Sequence, residues 1–153
     1  MSIEKRLEEL NIVLPDLPNN ELPFELGVVS GNKVYLSGQV PMVNGEIKYI
    51  GTAGSTVSIE EAQEAAKICV LNLLSSLKEV VKDLNKVTRV VKVNGYVASE
   101  KEFTQQPTVI NAASNLLNDI FGKGNGHARA AIGVASLPGG ASVEIEMIVE
   151  MKE

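Results

Sequence analysis

The stretch from Ser58 to Leu84 constrains the fold of this chain more than any other. Ile59, Ala62, Ala65, Ala66, Cys69, Leu73, Leu77, Val80 and Leu84 recur at helical spacing, so one side of a long helix is apolar throughout. Ser58 and Glu61 stand at its start in the spacing of a capping box, in which serine and glutamate each satisfy an amide at the helix end. The spacing predicts a helix ending near Leu84-Asn85. Alanines along the inner stripe allow a close approach to a flat partner, and that partner is expected to be a sheet.

The flanking segments supply it. LGVVS and KVYLSGQV are short apolar runs on either side of Gly31-Asn32, a turn-forming pair that predicts a hairpin. A further short strand is expected over Glu46–Ile50, after the Asn44-Gly45 turn. VTRVVKVNGYVA (87–98) reads as a strand. FTQQPTVINAASNLLNDIFGKG reads as a second helix, with Pro107 in its first turn and Gly122 closing it. ARAAIGVASL and SVEIEMIVEM follow as strands on either side of Pro138-Gly139-Gly140. In the last of them Val143, Ile145, Met147, Val149 and Met151 alternate with Glu144, Glu146, Ile148 and Glu150. The order β-β-(β)-α-β-α-β-β is an α+β class: one mixed sheet covered on one face by two helices.

Residues 1–23 are expected to form an appended arm, with residues 24–153 as the domain. Ser2 precedes a short amphipathic stretch carrying Ile3, Leu7 and Leu10. Pro15, Pro18 and Pro23 then exclude a helix and favour an extended connector. The start of the chain is charged and holds no apolar stretch, so a cytoplasmic location is expected. With 14 Lys+Arg against 19 Asp+Glu the net charge is −5, which disfavours a nucleic-acid or anionic-membrane surface. One cysteine and one histidine leave no disulfide within the chain and too few ligands for a zinc or haem site. Cys69, at a core-spaced helix position, reads as a small buried hydrophobe. Tyr35, Tyr96 and Phe103 are expected to be packing residues. GKGNG (122–126) follows a helix instead of opening one, and reads as a cap and loop.

Arg129 is the most informative side chain. It lies among small and apolar residues, and a guanidinium that cannot lose its proton needs an anionic partner when partly buried. Two readings are open. Glu144 or Glu146, across the Pro-Gly-Gly turn, could pair with it structurally. Alternatively it binds a ligand carboxylate, with Ala131 and Gly133 leaving room. His127, two residues earlier, falls on the same strand face as Arg129 and is expected at the surface or at a subunit contact.

LSGQVP (36–41), ARAAIGVASLP (128–138) and VEIEM (143–147) resemble the RidA/YjgF family, also called L-PSP endoribonucleases, from about Pro23 to Met151. The resemblance implies a chorismate-mutase-like fold assembled as a homotrimer with ligand clefts between subunits. It implies hydrolysis of reactive enamines and imines such as 2-aminoacrylate to 2-keto acids and ammonia, without cofactor or metal. Arg129 falls where the family clamps the substrate carboxylate, and Glu144 where it holds or activates the water. Ser37 and Gly38 fall on its SGQ motif, with Gly38 allowing the backbone close to the ligand. Three positions depart from the archetype: Phe24 stands where a tyrosine is usual, Ala131 where a cysteine is, and Lys101 where an asparagine is. Those departures keep a second function in view, a non-catalytic protein that binds a small keto acid. An endoribonuclease finds less support in an acidic chain with a single histidine.

Overall fold

The computed structural model describes residues 2–18 and 20–153. After a short helix α1 (Ile3–Glu9), the chain forms strands β1 (Gly27–Ser30) and β2 (Lys33–Gln39), then the small strands β3 (Met42–Val43) and β4 (Glu46–Ile47). Helix α2 (Ile59–Val81), strand β5 (Val87–Ala98), helix α3 (Gln106–Phe121), and strands β6 (Ala128–Val134) and β7 (Val143–Met151) complete it. The main sheet runs β1-β2-β7-β5-β6, with β5 and β6 parallel and the other pairs antiparallel. Both long helices lie on one face of it, as the α+β reading requires.

The capping box at Ser58 is present in both directions, Ser58 Oγ to the Glu61 amide at 3.1 Å and Glu61 Oε1 to the Ser58 amide at 3.0 Å. Ala62, Ala65, Ala66, Cys69, Leu73 and Leu77 are fully buried against Val143, Ile145, Met147 and Val149 of β7. The helix stops sooner than its apolar spacing suggests. Lys82 turns into the left-handed region (φ 70°), and Leu84 reaches the core from a single 3-10 turn, Leu84–Lys86, capped by Asp83. A buried leucine at helical spacing therefore does not require a continuous helix. Gly95 on β5 is where α3 comes closest: a Cβ there would press on the Ile110 side chain at 2.6–2.9 Å.

Two expected strands differ. The strand after Asn44-Gly45 forms only over Glu46–Ile47, in a separate hairpin with β3, and Ile50 makes an isolated bridge to Ala141. The strand after Ala128 ends at Val134, because its partner β5 ends at Ala98 and no ladder continues beyond. At the front of the chain, Ser2 caps α1 by accepting from the Lys5 amide. The Ile3 amide donates to Asn85 Oδ1 (2.8 Å), and Arg6 Nε donates to the Asp119 carbonyl (2.7 Å). Farther along, the Pro15 carbonyl accepts from Ser75 Oγ of α2 at 2.7 Å, which fastens the proline-rich arm along that helix. Among the described residues, no helix is long and apolar enough to cross a membrane.

Candidate functional site

Side chains on a strand alternate between faces, so parity decides which groups can meet. On β7, Val143, Ile145, Met147 and Val149 point to the helices, and Glu144, Glu146 and Ile148 to the open face. On β5, Val93, Gly95 and Val97 are buried beneath the helices, while Asn94 and Tyr96 share the open face with the glutamates. On β6, Arg129 is registered with Val93 and Ala131 with Gly95, which puts both on the helix-covered side. Ala130 and Ile132 take the other side.

This placement overturns the structural ion pair between Arg129 and Glu144 or Glu146. Those readings assumed that the strands flanking Pro-Gly-Gly are neighbours. In the sheet β5 separates them, so their axes are roughly 10 Å apart. Arg129 and the two glutamates also leave opposite faces. Among the described residues, no ion pair involves Arg129, Glu144 or Glu146.

Arg129 is held instead by α3. Its Nη1 donates to Asn111 Oδ1 at 2.8 Å and to Ser114 Oγ at 3.3 Å. Ser114 Oγ also meets His127 Nε2 at 2.8 Å, so His127 shares a partner with Arg129 on the same face, as their spacing suggested. Burial, followed by the positive charge of Arg129, lowers the His127 pKa from its ordinary 6.5. Asn111 and Ser114 were not legible as site residues. They stand three apart, the spacing that lets both address one group, but α3 also carries Thr108, Asn115, Asn118 and Asp119, so nothing in the sequence singles them out.

The second group of candidates lies on β2 and β7. The pairing of these strands shifts between Leu36 and Gln39, leaving Ser37 and Gly38 in a bulge. The Ser37 amide donates to the Leu26 carbonyl (2.9 Å) and its hydroxyl to the Glu25 carbonyl (2.6 Å), so the side chain is tied to the segment that carries Phe24. Phe24 itself is 56 % exposed. A Cβ at Gly38 would overlap Glu144 Oε2, so within this chain the glycine makes room for a carboxylate of the protein itself. That adds a requirement to the expected close approach of a ligand.

Glu144 is partly buried, and that burial, then the nearby negative charge of Glu146, raises its pKa above the ordinary 4.5. Glu146 accepts from the Tyr96 hydroxyl at 2.5 Å and from Asn94 Nδ2 at 3.3 Å. That bond, with burial and the glutamate charges, pushes the Tyr96 phenol up to about 12. Tyr96 is thus more than the packing residue expected. Tyr35 departs further, being 48 % exposed on the open face, whereas Phe103 does pack against the core. Cys69 is fully buried beside the Val143 carbonyl, and burial drives its thiol well above its usual value.

Lys101 is exposed in the turn after β5, where it lines a cleft of about 610 Å³ with Thr52, Ser99, Phe103, Gln106 and Gly133. One chain therefore separates its candidates into two groups. Arg129, Ala131 and Lys101 belong to the β6 edge on the helix side. Phe24, Ser37, Gly38 and Glu144 belong to the β2–β7 bulge and the open face.

A conserved-family profile described as Endoribonuclease L-PSP matches residues 16–151. The chain belongs to this family, the RidA/YjgF family, and its α+β fold is the one its structural neighbours share. Protein TCP17 of Trypanosoma cruzi is 38 % identical over 150 residues, covering 97 % of this chain and 94 % of that protein. The 2-iminobutanoate/2-iminopropanoate deaminase of Dermatophagoides farinae is 32 % identical over 146 residues, covering 90 % and 93 %. The crystal structure of Atu1372 from Agrobacterium tumefaciens superposes with a TM-score of 0.88 at 47 % identity, covering 97 % of this chain and 91 % of that one.

Proposed function

We propose that this protein hydrolyses small reactive 2-imino acids to 2-keto acids and ammonia, in clefts formed between the subunits of a homotrimer. The observation that carries the reading is the placement of Arg129. Its guanidinium has no carboxylate partner among the described residues and stands at a sheet edge, on the face opposite Glu144. A ligand touching both residues must bridge two copies of the chain, with β6 of one subunit facing the β2–β7 bulge of the next. Arg129 anchors the carboxylate of the ligand by charge-assisted hydrogen bonds. Glu144 of the neighbouring subunit, its pKa raised by burial and Glu146, exchanges protons with the attacking water and the departing amine. Ser37 and Gly38 shape the floor beside that carboxyl, Phe24 and Ala131 line the apolar side, and Lys101 stands at the rim. Hydrolysis of an imine has a low intrinsic barrier, so orientation and a proton shuttle suffice and the scheme calls on no cofactor. The name of the mite relative supports the same chemistry.

A keto-acid-binding protein without turnover is the second reading, and the absent hydroxyl at Phe24 and thiol at Ala131 favour it. The test is ammonia and keto-acid release from 2-iminopropanoate generated in situ, compared between the parent and Arg129→Ala. Turnover in the parent and its near-complete loss in a folded Arg129→Ala supports the enzyme. Pyruvate binding without turnover supports the second reading. Equal turnover in both proteins rejects the clamp.

A further inference from the structure

Arginine carries five N–H donors, two on each terminal nitrogen and one on Nε. In this structure Nη1 directs its two at Asn111 Oδ1 and Ser114 Oγ, both on α3. Among the described residues no hydrogen bond engages Nε or Nη2. Of the three N–H groups they carry, Nε–H and the nearer Nη2–H point parallel from the other edge of the plane and match the spacing of a carboxylate.

From this geometry we infer that Asn111, Ser114 and His127 form a positioning network that turns the Nε–Nη2 edge of Arg129 toward the ligand carboxylate. The inference rests on the clamp reading above and adds the residues that aim it. Ser114 sets the direction of the chain of bonds. In the proposed arrangement its oxygen accepts from Arg129 Nη1 and its proton goes to His127 Nε2. His127 is then a neutral acceptor at Nε2 and keeps its proton on Nδ1. The charged groups near His127 are cationic: Arg129 on β6, and Arg89 on β5, whose Nη2 donates to the Gly126 carbonyl beside it. From α3 the uncharged Ser114 hydrogen-bonds the ring. A neutral ring therefore suits the site, and Ser114 passes its demand for a proton on to the guanidinium. The two α3 residues stand one turn apart, so a single rigid helix fixes both ends of the Nη1 grip. Without that grip the side chain would be free to turn about its Cγ–Cδ and Cδ–Nε bonds and point the Nε–Nη2 edge elsewhere.

The experiment has a ligand-dependent and a ligand-free arm, on the full chain and on Asn111→Leu, Ser114→Ala and Ser114→Thr. Pyruvate affinity is measured by calorimetry, alongside melting temperature. We expect about 3–10-fold weaker binding in Asn111→Leu and in Ser114→Ala, the scale of one lost hydrogen bond, with little change in melting. Ser114→Thr, which keeps the hydroxyl, should restore it. Unchanged affinity in both disrupted variants overturns the proposal. In the ligand-free arm, nitrogen-15 NMR reads the Arg129 Nη signals and the His127 tautomer. Distinct, slowly exchanging Nη signals with an Nδ1–H imidazole are expected in the parent and in Ser114→Thr, and averaged Nη signals in Asn111→Leu and Ser114→Ala. Free rotation in the parent overturns the network even if pyruvate binds. Restricted rotation in a parent that binds no keto acid keeps the network and rejects the functional reading instead.

Discussion

The two faces of the central sheet are built from the same strands and meet opposite fates. Along β7, Val143, Ile145, Met147 and Val149 are essentially inaccessible beneath α2, whereas Glu144, Glu146 and Ile148, one position away, are only partly buried. The covered face is closed by the chain itself: small alanines on α2 and Gly95 on β5 let helices settle onto it. The open face carries exposed Val28, Tyr35 and Ile132 among two glutamates with interacting charges. The apolar part of such a surface gains by being covered, its glutamates then needing water or a polar partner, and a second copy of the chain is the cover proposed here. The covered face makes the domain stable. The open face and the sheet edges are where its chemistry would sit.

The sharpest way to break that comparison is Glu144→Gln. Loss of a proton-transferring carboxylate typically costs ~10²–10⁴-fold in rate, and that is the loss expected in the imine assay. Stability should move the other way. A carboxyl whose pKa is raised on folding binds more protons in the native state, so folding weakens as pH rises from its ordinary 4.5 toward the raised value. An amide carries no such liability, and the variant should melt at or slightly above the parent at neutral pH. A sharp fall in melting temperature with full activity would make Glu144 a structural residue.

Next in size come two isoleucine deletions three residues apart. Ile145→Ala empties a site with no solvent access and should cost about 2–5 kcal/mol in chemical denaturation. Ile148 lies on the open face beside Tyr35, so Ile148→Ala should leave the denaturation of the separated chain little changed and loosen assembly, seen as smaller species by light scattering. If the parent is already a monomer at micromolar concentration, the cleft between subunits is lost with the trimer. Equal destabilisation by both variants would erase the distinction between the faces.

The covered face was legible in the sequence because it obeys simple periods. The alternation from Val143 names the buried side of β7, and Gly31-Asn32 names the hairpin. The helical spacing from Ile59 names the centre of the buried stripe of α2 (Ala62 to Leu77) but not its flanks at Val70, Leu74 and Val81. The arrangement of strands was not, because periodicity carries no information on lateral order. Placing β5 between β6 and β7 depends on α3 returning the chain to the far edge, and that single fact separates Arg129 from Glu144. The grip on Arg129 escaped notice for a related reason. Asn111 and Ser114 are ordinary helix-surface residues until β6 is laid beside them. Gly38 shows the reverse: a glycine prominent in the sequence also has a neighbour, the carboxylate of Glu144, that only the bulge in β2 brings there.

The smallest expected effect concerns His127, which belongs to the covered side but titrates like a site residue. Burial and Arg129 lower its pKa, so between that lowered value and the ordinary 6.5 the unfolded chain binds more protons than the folded one. The stability contributed by the neutral ring is therefore complete above about pH 6.5 and is lost as the pH falls through the lowered value. His127→Gln keeps an acceptor for Ser114 and cannot charge. Its melting temperature should decline less than the parent's between pH 7.5 and 5.5, and the two should agree most closely at the upper end. A bound carboxylate cancels the charge of Arg129 that disfavours the imidazolium, so pyruvate should raise the titration midpoint of His127, followed by its ring-proton NMR shift. Parallel melting curves in the two proteins, with a midpoint indifferent to pyruvate, would disconnect His127 from Arg129 and leave Ser114 the last residue of the network.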